Sequence, residues 1–521
     1  MADIILINPK FKVSYWGMEH ALPLLGKRAN LPVACLPLLA ALTPDGHTVT
    51  LIDENVEDID WGRCARADIV GLTGMSVQRF RMKEILAELK RRGCFTVVGG
   101  PYVTVEEGYF GDDADVIFVG EAEVTWPRFL EEWHRGVHGP RYEQAEKTDM
   151  GRVPTPRFDL LKMRHYAFGS VQFSRGCPFQ CEFCDIIVTF GRKPRIKTSG
   201  QILAELEAIR AQKQRIVFIV DDNLIGNKAA IKAVLREVAA WQEANGFPLA
   251  FTTEASIDLA DDPELLALMV EANIVSVFVG IESPNEASLR ETKKYQNVRA
   301  GGTMLEKVRR IQDAGLEVWC GMILGFDNDD ATIFEAQQEF IRDARIPTTM
   351  IGMLNAIPKT PLHARLEREG RLLDWSEESS YGTNIVPLKM SREELRDGYV
   401  RSMNALYEPS AYFDRLDDLL LGGDFPVAGA WMRHWARHPW RRLRDQAELM
   451  ALALGLFALL MLRVPDAALR REYRRRLWGL LRIRREPTVV VSYVVKCAMH
   501  YHAHTMARDM AGGRSPIYNS G

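Results

Sequence analysis

Three cysteines lie within eight residues in Ser174-Arg175-Gly176-Cys177-Pro178-Phe179-Gln180-Cys181-Glu182-Phe183-Cys184, a Cys-x3-Cys-x2-Cys pattern. Three thiolates on one loop can each ligate one iron of a [4Fe-4S] cluster. The fourth iron is then left without a protein ligand and open to a small chelating molecule. A structural zinc loop is the competing chemistry, but zinc sites usually want four ligands in two pairs, and no matching pair lies nearby in the sequence. The remaining cysteines, Cys35, Cys64, Cys94, Cys320 and Cys497, stand singly. A disulfide framework is not expected at that density.

The triplet follows directly on an apolar strand pattern, Val171–Phe173, and more such patterns succeed it: Ile216–Val220, Ala250–Thr253, Val275–Val279, Val318–Ile323 and Thr349–Leu354. Helical patterns such as Gln201–Gln212, Lys228–Asn245 and Pro263–Ala272 separate them. About six βα units predict a partial or full (β/α) barrel, with its site at the carboxyl ends of the strands. Polar groups sit at those ends: Asp221-Asp222-Asn223, Glu254 and Glu282.

Residues 1–140 alternate strand and helix in the same way. Their strand patterns stop at Thr73-Gly74, Gly99-Gly100-Pro101 and Gly120-Glu121. Apolar strands interleaved with helices predict a doubly wound, Rossmann-like α/β sheet whose ligand lies beyond the strand ends, where glycines let backbone approach it closely. Residues 141–165, rich in Pro, Arg and polar groups, read as a linker, 166–375 as the barrel, and 376–521 as an α-helical domain.

The composition, 47% hydrophobic and 26% charged, is that of a globular chain with real cores. A net charge of -3 over 521 residues argues against nucleic acid as a partner. The charge is uneven, however: between Trp431 and Arg485 there are 14 Arg against Asp445, Glu448, Asp466 and Glu472. No secretory signal pattern opens the sequence, and the longest apolar run, Leu449–Leu462, has 14 residues where a span needs ~20. The expected location is the cytoplasm. Residues 431–485 are the candidate for a peripheral contact at the inner face of the membrane, with a buried cap over the active site as the alternative. His500, His502 and His504 alternate on a helical pattern, which favours a structural role over a metal site.

The cysteine motif, Phe183 within it and the barrel pattern resemble the radical S-adenosylmethionine superfamily, and residues 3–135 look like the cobalamin-binding domain that often precedes such barrels. Phe218-Ile219-Val220-Asp221-Asp222-Asn223, Phe278-Val279-Gly280-Ile281-Glu282-Ser283-Pro284 and Ala356-Ile357-Pro358-Lys359-Thr360-Pro361 are similar to the subgroup containing the hopanoid C-2 methylase, as is the helical tail. The resemblance implies three cofactors: a [4Fe-4S] cluster on Cys177, Cys181 and Cys184, S-adenosyl-L-methionine, and cobalamin. It implies adenosylmethionine contacts at Phe183, Asp222, Glu254 and Glu282, and cobalamin contacts at Thr73, Gly74, Gly99, Gly100, Gly120 and Glu121. Asp221-Asp222-Asn223 stands where the family commonly keeps Gly-Gly-Glu. The loop after the first strand, Asn8 to Lys12, has no histidine, so the cobalt is expected to lack a ligand from it.

The implied activity is methylation of an unactivated carbon on a small hydrophobic, lipid-like substrate. An electron donor such as flavodoxin or ferredoxin is required, and no side chain is assigned a catalytic role beyond the cluster ligands. Cyclisation or carbon–carbon coupling of a lipid or tetrapyrrole is the first alternative, and a cobalamin- or redox-sensing binding protein the second.

Overall fold

The computed structural model describes residues 1–299, 301–373, 382–422, 425–426 and 429–514. Two six-stranded parallel sheets follow one another along the chain. The first comprises β1 (Asp3–Asn8), β2 (Thr48–Asp53), β3 (Ile69–Thr73), β4 (Thr96–Gly99), β5 (Val116–Val119) and β6 (Arg141–Glu143), in the order β2-β1-β3-β4-β5-β6. The order reverses between β1 and β3, which opens a crevice at the strand ends there. All five residues of β3 are buried, as a strand covered by helices on both faces requires. On one face Ile5, Ile7 and Leu72 pack on Ile85 and Leu89 of the helix Arg79–Arg91. On the other, Ile4 and Leu6 meet Trp126 and Phe129.

The sheet runs past residue 140. β6 belongs to the segment that reads as a linker, yet it pairs with β5 in parallel, Phe118 opposite Tyr142. Only Tyr142 of its three residues points inward, stacked on Phe118 at 5.3 Å. An edge strand this short and polar leaves too little alternation to be recognised from sequence.

The second sheet comprises β7 (Gly169–Val171), β10 (Ile216–Ile219), β11 (Ala250–Glu254), β12 (Ile274–Glu282), β13 (Glu317–Leu324) and β14 (Thr349–Met353), each beside its successor. β7 and β14 are the two edges, so the barrel is partial and open. Between β7 and β10 a small antiparallel hairpin, β8 (Ser174–Arg175) with β9 (Arg195–Ile196), brackets the cysteine loop. β7 starts and ends two residues before the predicted Val171–Phe173, because the Phe173 N–H leaves the ladder for Asp221 Oδ1 at 2.7 Å.

The expected boundary at 375/376 lies outside the described residues. From Ser391, whose side chain closes a capping box with Glu394, the chain is helical: Arg392–Leu406, Pro409–Leu420, Ala430–Arg437, Pro439–Arg463, Ala467–Ile483 and Pro487–Ala511. The last helix is the axis of this domain, with Tyr493, Cys497 and His500 wholly buried. Its histidines are structural, but two of them share a face. His500 and His504, four residues apart, stack at 5.3 Å and both donate to the Tyr407 carbonyl, at 3.1 and 2.8 Å. His502 faces away and donates to Ser14 O at 2.9 Å, anchoring the segment that follows β1.

Candidate active site

The cysteine loop is held on three sides. Gly176 adopts φ +94, and a Cβ there would stand 2.9 Å from Lys193 O and 3.0 Å from Gly191 O, so only glycine lets the loop close against its own return strand. Its N–H donates to Asp222 Oδ2 at 2.7 Å, and the Cys177 N–H to Gly191 O at 3.2 Å. Farther along, the Glu182 N–H donates to Thr292 O at 2.9 Å, while Glu182 O accepts from Leu362 N at 3.0 Å. Burial pushes the Cys177 thiol up and the Cys184 thiol well above the usual thiol range. A buried thiolate needs compensating positive charge, which metal supplies. Among the described residues no three His, Cys, Asp or Glu side chains converge on one ion-sized point. A cluster whose irons each take a single thiolate does not require that they do, so the donor set fits a cluster better than a lone ion.

Four carboxylates surround the loop. Asp221 is spent on structure: Oδ1 accepts from Phe173 N and Oδ2 from Ser174 Oγ, each at 2.7 Å. Burial raises Asp222 to about 7. Glu254, closing β11, is raised to about 8, first by burial and then by the like charges of Asp222, Asp221 and Glu282. Glu282 closes β12 in the left-handed region at φ +66, beside a register shift between β12 and β13, and pairs with Lys294 at 2.6 Å. A strained non-glycine backbone with a tethered carboxylate is a feature that functional sites retain. Asp221 and Glu282 are buried and Asp222 and Glu254 half-buried in the cavity wall, and together they make a surface rich in acceptors, suited to a ligand with an ammonium, a sulfonium or hydroxyl donors.

Across from this wall lie the turns of the first sheet. Gly100 has φ +108, and a Cβ there would come within 2.3 Å of Thr73 Oγ1 and 3.2 Å of Gly74 N, so the β3 and β4 turns touch only because it is glycine. Gly120, at φ +83, passes 3.1 Å from Gln144 O by the same measure. Asn8 is tied on both sides: its Nδ2 donates to Asp53 Oδ1 at 3.1 Å, and Gln78 Nε2 donates to Asn8 Oδ1 at 2.9 Å.

The cysteines, the four carboxylates and the glycine turns line one cavity of about 830 Å3 between the two sheets. It takes in Cys177, Cys181 and Cys184, Phe183, Asp222, Glu254 and Glu282, and Thr73, Gly74, Gly99, Gly100, Gly120 and Glu121. The fold thus brings every sequence-predicted site residue to one chamber. Glu121 is the residue whose side chain is already engaged. Its Oε1 accepts from Arg175 at 3.0 Å and Arg195 at 2.8 Å, and its Oε2 from Thr148 N at 2.6 Å. The side chain therefore ties the first sheet to the β8/β9 hairpin.

Sequence reasoning overlooked Arg175, Arg195, Lys294, Gln296, Trp16 and Glu19. Trp16, from the segment after β1, reaches across to the barrel and lies 5.2 Å from Phe278 and 6.4 Å from Phe218, ring centre to ring centre. Glu19, also in the cavity wall, is raised to about 7 by burial. No local periodicity marks these residues. The one available signal was Arg175 inside the cysteine motif itself.

Residues 171–338 match the model of the radical SAM superfamily, and residues 360–515 match a domain of unknown function, DUF4070. An uncharacterized methyltransferase of Synechocystis sp. is 38% identical over 506 residues, covering 96% of this chain and 90% of its own length. The hopanoid C-2 methylase of Rhodopseudomonas palustris is 35% identical over 420 residues, covering 80% and 78%. Among solved structures, the radical S-adenosylmethionine methyltransferase TsrM of Kitasatospora setae, with cobalamin and a [4Fe-4S] cluster bound, superposes with a TM-score of 0.60 at 16% identity, over 86% of this chain and 100% of that one. The cobalamin-dependent radical enzyme OxsB, with aqua-cobalamin bound, gives 0.61 at 15% identity, over 98% and 81%. At those identities the two structures speak to the fold alone.

Proposed function

Since this chain belongs to the radical S-adenosylmethionine superfamily, in the group of methyltransferases that includes the hopanoid C-2 methylase, we propose that it is a cobalamin-dependent C-methyltransferase acting on an unactivated carbon of a small hydrophobic, lipid-like substrate. The observation that carries this reading is the single cavity shared by the cysteine loop, the carboxylate wall and the glycine turns. When bound, the cluster and adenosylmethionine supply a hydrogen-abstracting radical, and cobalamin supplies the methyl group.

The chain's own residues bind and place these groups. Cys177, Cys181 and Cys184 hold the cluster. Asp222, Glu254 and Glu282, with the backbone of Phe183, receive the ammonium and ribose of adenosylmethionine. Thr73, Gly74, Gly99, Gly100 and the backbone at Gly120 and Glu121 would hold cobalamin. Trp16, Phe218 and Phe278 keep the chamber apolar, which suits a hydrocarbon substrate and excludes water. The reducing electron comes from a ferredoxin or flavodoxin in the cytoplasm.

A peripheral membrane contact fits the same substrate class. The helix Pro439–Arg463 has 25 residues, and only 11% of its most apolar window is buried. Leu443, Leu452, Leu454 and Leu462 are exposed. By length and composition it could cross a bilayer, but both its ends are bonded to the body of the protein: Arg441 donates to Gly246 O at 2.8 Å and Arg463 to Pro23 O at 2.6 Å. Exposed leucines flanked by arginines on a helix tethered in this way favour lying on an anionic surface.

The test is anaerobic turnover of the reconstituted protein with a polycyclic lipid, followed by mass spectrometry. The expected product gains one methylene, alongside 5′-deoxyadenosine. Deoxyadenosine without the mass gain would favour cyclisation or coupling, and no adenosylmethionine cleavage at all would favour a binding protein.

A further inference from the structure

Beyond the ligands themselves, the stretch after the helix Glu286–Glu291 crosses the cysteine loop and grips it repeatedly. Thr292 O accepts from Glu182 N at 2.9 Å, and Lys293 pairs with Glu182 at 2.8 Å. Lys294 pairs with Glu282, and Asn297 Nδ2 donates to Gly280 O at 3.0 Å and Ile281 O at 2.8 Å, fixing the stretch to the end of β12. Between these anchors, Gln296 Nε2 donates to Cys181 Sγ at 3.5 Å. Gln296 is 2% exposed, and its Oε1 is buried without a partner. A half-satisfied buried amide costs stability, so its presence wants a reason. Asn223 Nδ2 makes a longer contact of the same kind, to Cys177 Sγ at 3.8 Å.

We propose that Gln296 is a positioning residue that raises the reduction potential of the cluster through its hydrogen bond to the Cys181 sulfur. The proposal rests on the cluster reading of the three cysteines. The step concerned is uptake of one electron from the external donor. The reduced cluster carries one more negative charge than the oxidised one. An N–H aimed at a ligand sulfur therefore stabilises the reduced form more, and the potential rises. Lys294 cannot serve as the probe for this effect, because its removal strands the buried Glu282 carboxylate.

The experiment is an electron paramagnetic resonance-monitored redox titration of full-length protein, reconstituted anaerobically, as wild type, Gln296→Met and Gln296→Glu. Wild type that assembles no [4Fe-4S] cluster would count against the proposed function, before Gln296 is in question. With the cluster present, Gln296→Met is expected to keep its iron content while the reduced-to-oxidised ratio at a fixed poise falls about three- to tenfold, tenfold being 59 mV for one electron. Gln296→Glu, which places an acceptor where the donor stood, should shift the potential lower still. Unchanged potentials in both variants would overturn the proposal. So would loss of the cluster from both, because Gln296 would then be a structural strut.

Discussion

At the scale of single residues, the carboxylate wall is the feature with the clearest consequence. Glu254 titrates near 8 in the folded chain against about 4.5 when unfolded. The folded state therefore holds an extra proton between those values. This group's contribution to stability is fully present below about pH 4.5 and is lost as the pH rises through about 8. Glu254→Gln removes the titration, so the ligand-free variant is expected to be more stable than the parent at pH 8.5, by roughly 1–2 kcal/mol once solvent screening of this half-buried group is discounted, and to differ little at pH 5. The same change should weaken adenosylmethionine binding by about tenfold, since a bound ammonium or hydroxyl donor favours an ionised carboxylate that Gln cannot supply. Calorimetry at the two pH values, with ligand titration alongside, checks both halves. Equal melting differences at pH 5 and 8.5 would count against the burial argument.

Elements position these residues through a few cross-ties. Gly176 lets the cysteine loop fold back on residues 191–193, the hairpin of β8 and β9 frames it, and Glu121 joins that hairpin to the end of β5 through Arg175 and Arg195. The Glu121 side chain is 1% exposed, and those of Arg175 and Arg195 are 9% and 14%. Breaking a pair buried this deeply leaves two guanidinium groups without full compensation. Glu121→Gln is expected to cost about 3 kcal/mol, read as a lowered denaturant midpoint, and to reduce cobalamin and cluster retention together because the tie spans both halves. Loss of one cofactor with the other unaffected would show that the two halves of the cavity are held independently. Neither β6 nor the Glu121 tie was legible beforehand: a three-residue polar strand has no period, and an ion pair across 54 positions leaves no trace in spacing.

For the molecule as a whole, the uneven charge and the exposed leucines of Pro439–Arg463 make a statement about location. Purified protein is expected to float with anionic vesicles at low salt and to be released as ionic strength rises, since each arginine near such a surface contributes ~1 kcal/mol at best and salt screens it. Replacing Arg442, Arg444, Arg471 and Arg474 by Gln should abolish most of the flotation and leave the fold intact. Protein that stays at the bottom of the gradient at every salt concentration would assign the helix to capping alone.

The cysteine spacing, the strand-end carboxylates and the glycine turns were all readable in sequence, because each is a local signal: fixed offsets on one loop, or punctuation at the end of an apolar run. The order of folds along the chain followed from the alternation of strand and helix patterns. What needed the tertiary structure was everything that depends on two distant segments meeting. Trp16 enters the barrel wall from the first domain, and Gln296 reaches Cys181 from 115 positions away. The 14-residue apolar run became part of a 25-residue helix with both ends bonded to the body. Spacing along the chain reports only neighbours in sequence; which side chains share a buried chamber, and so shift one another's charge, is decided by packing.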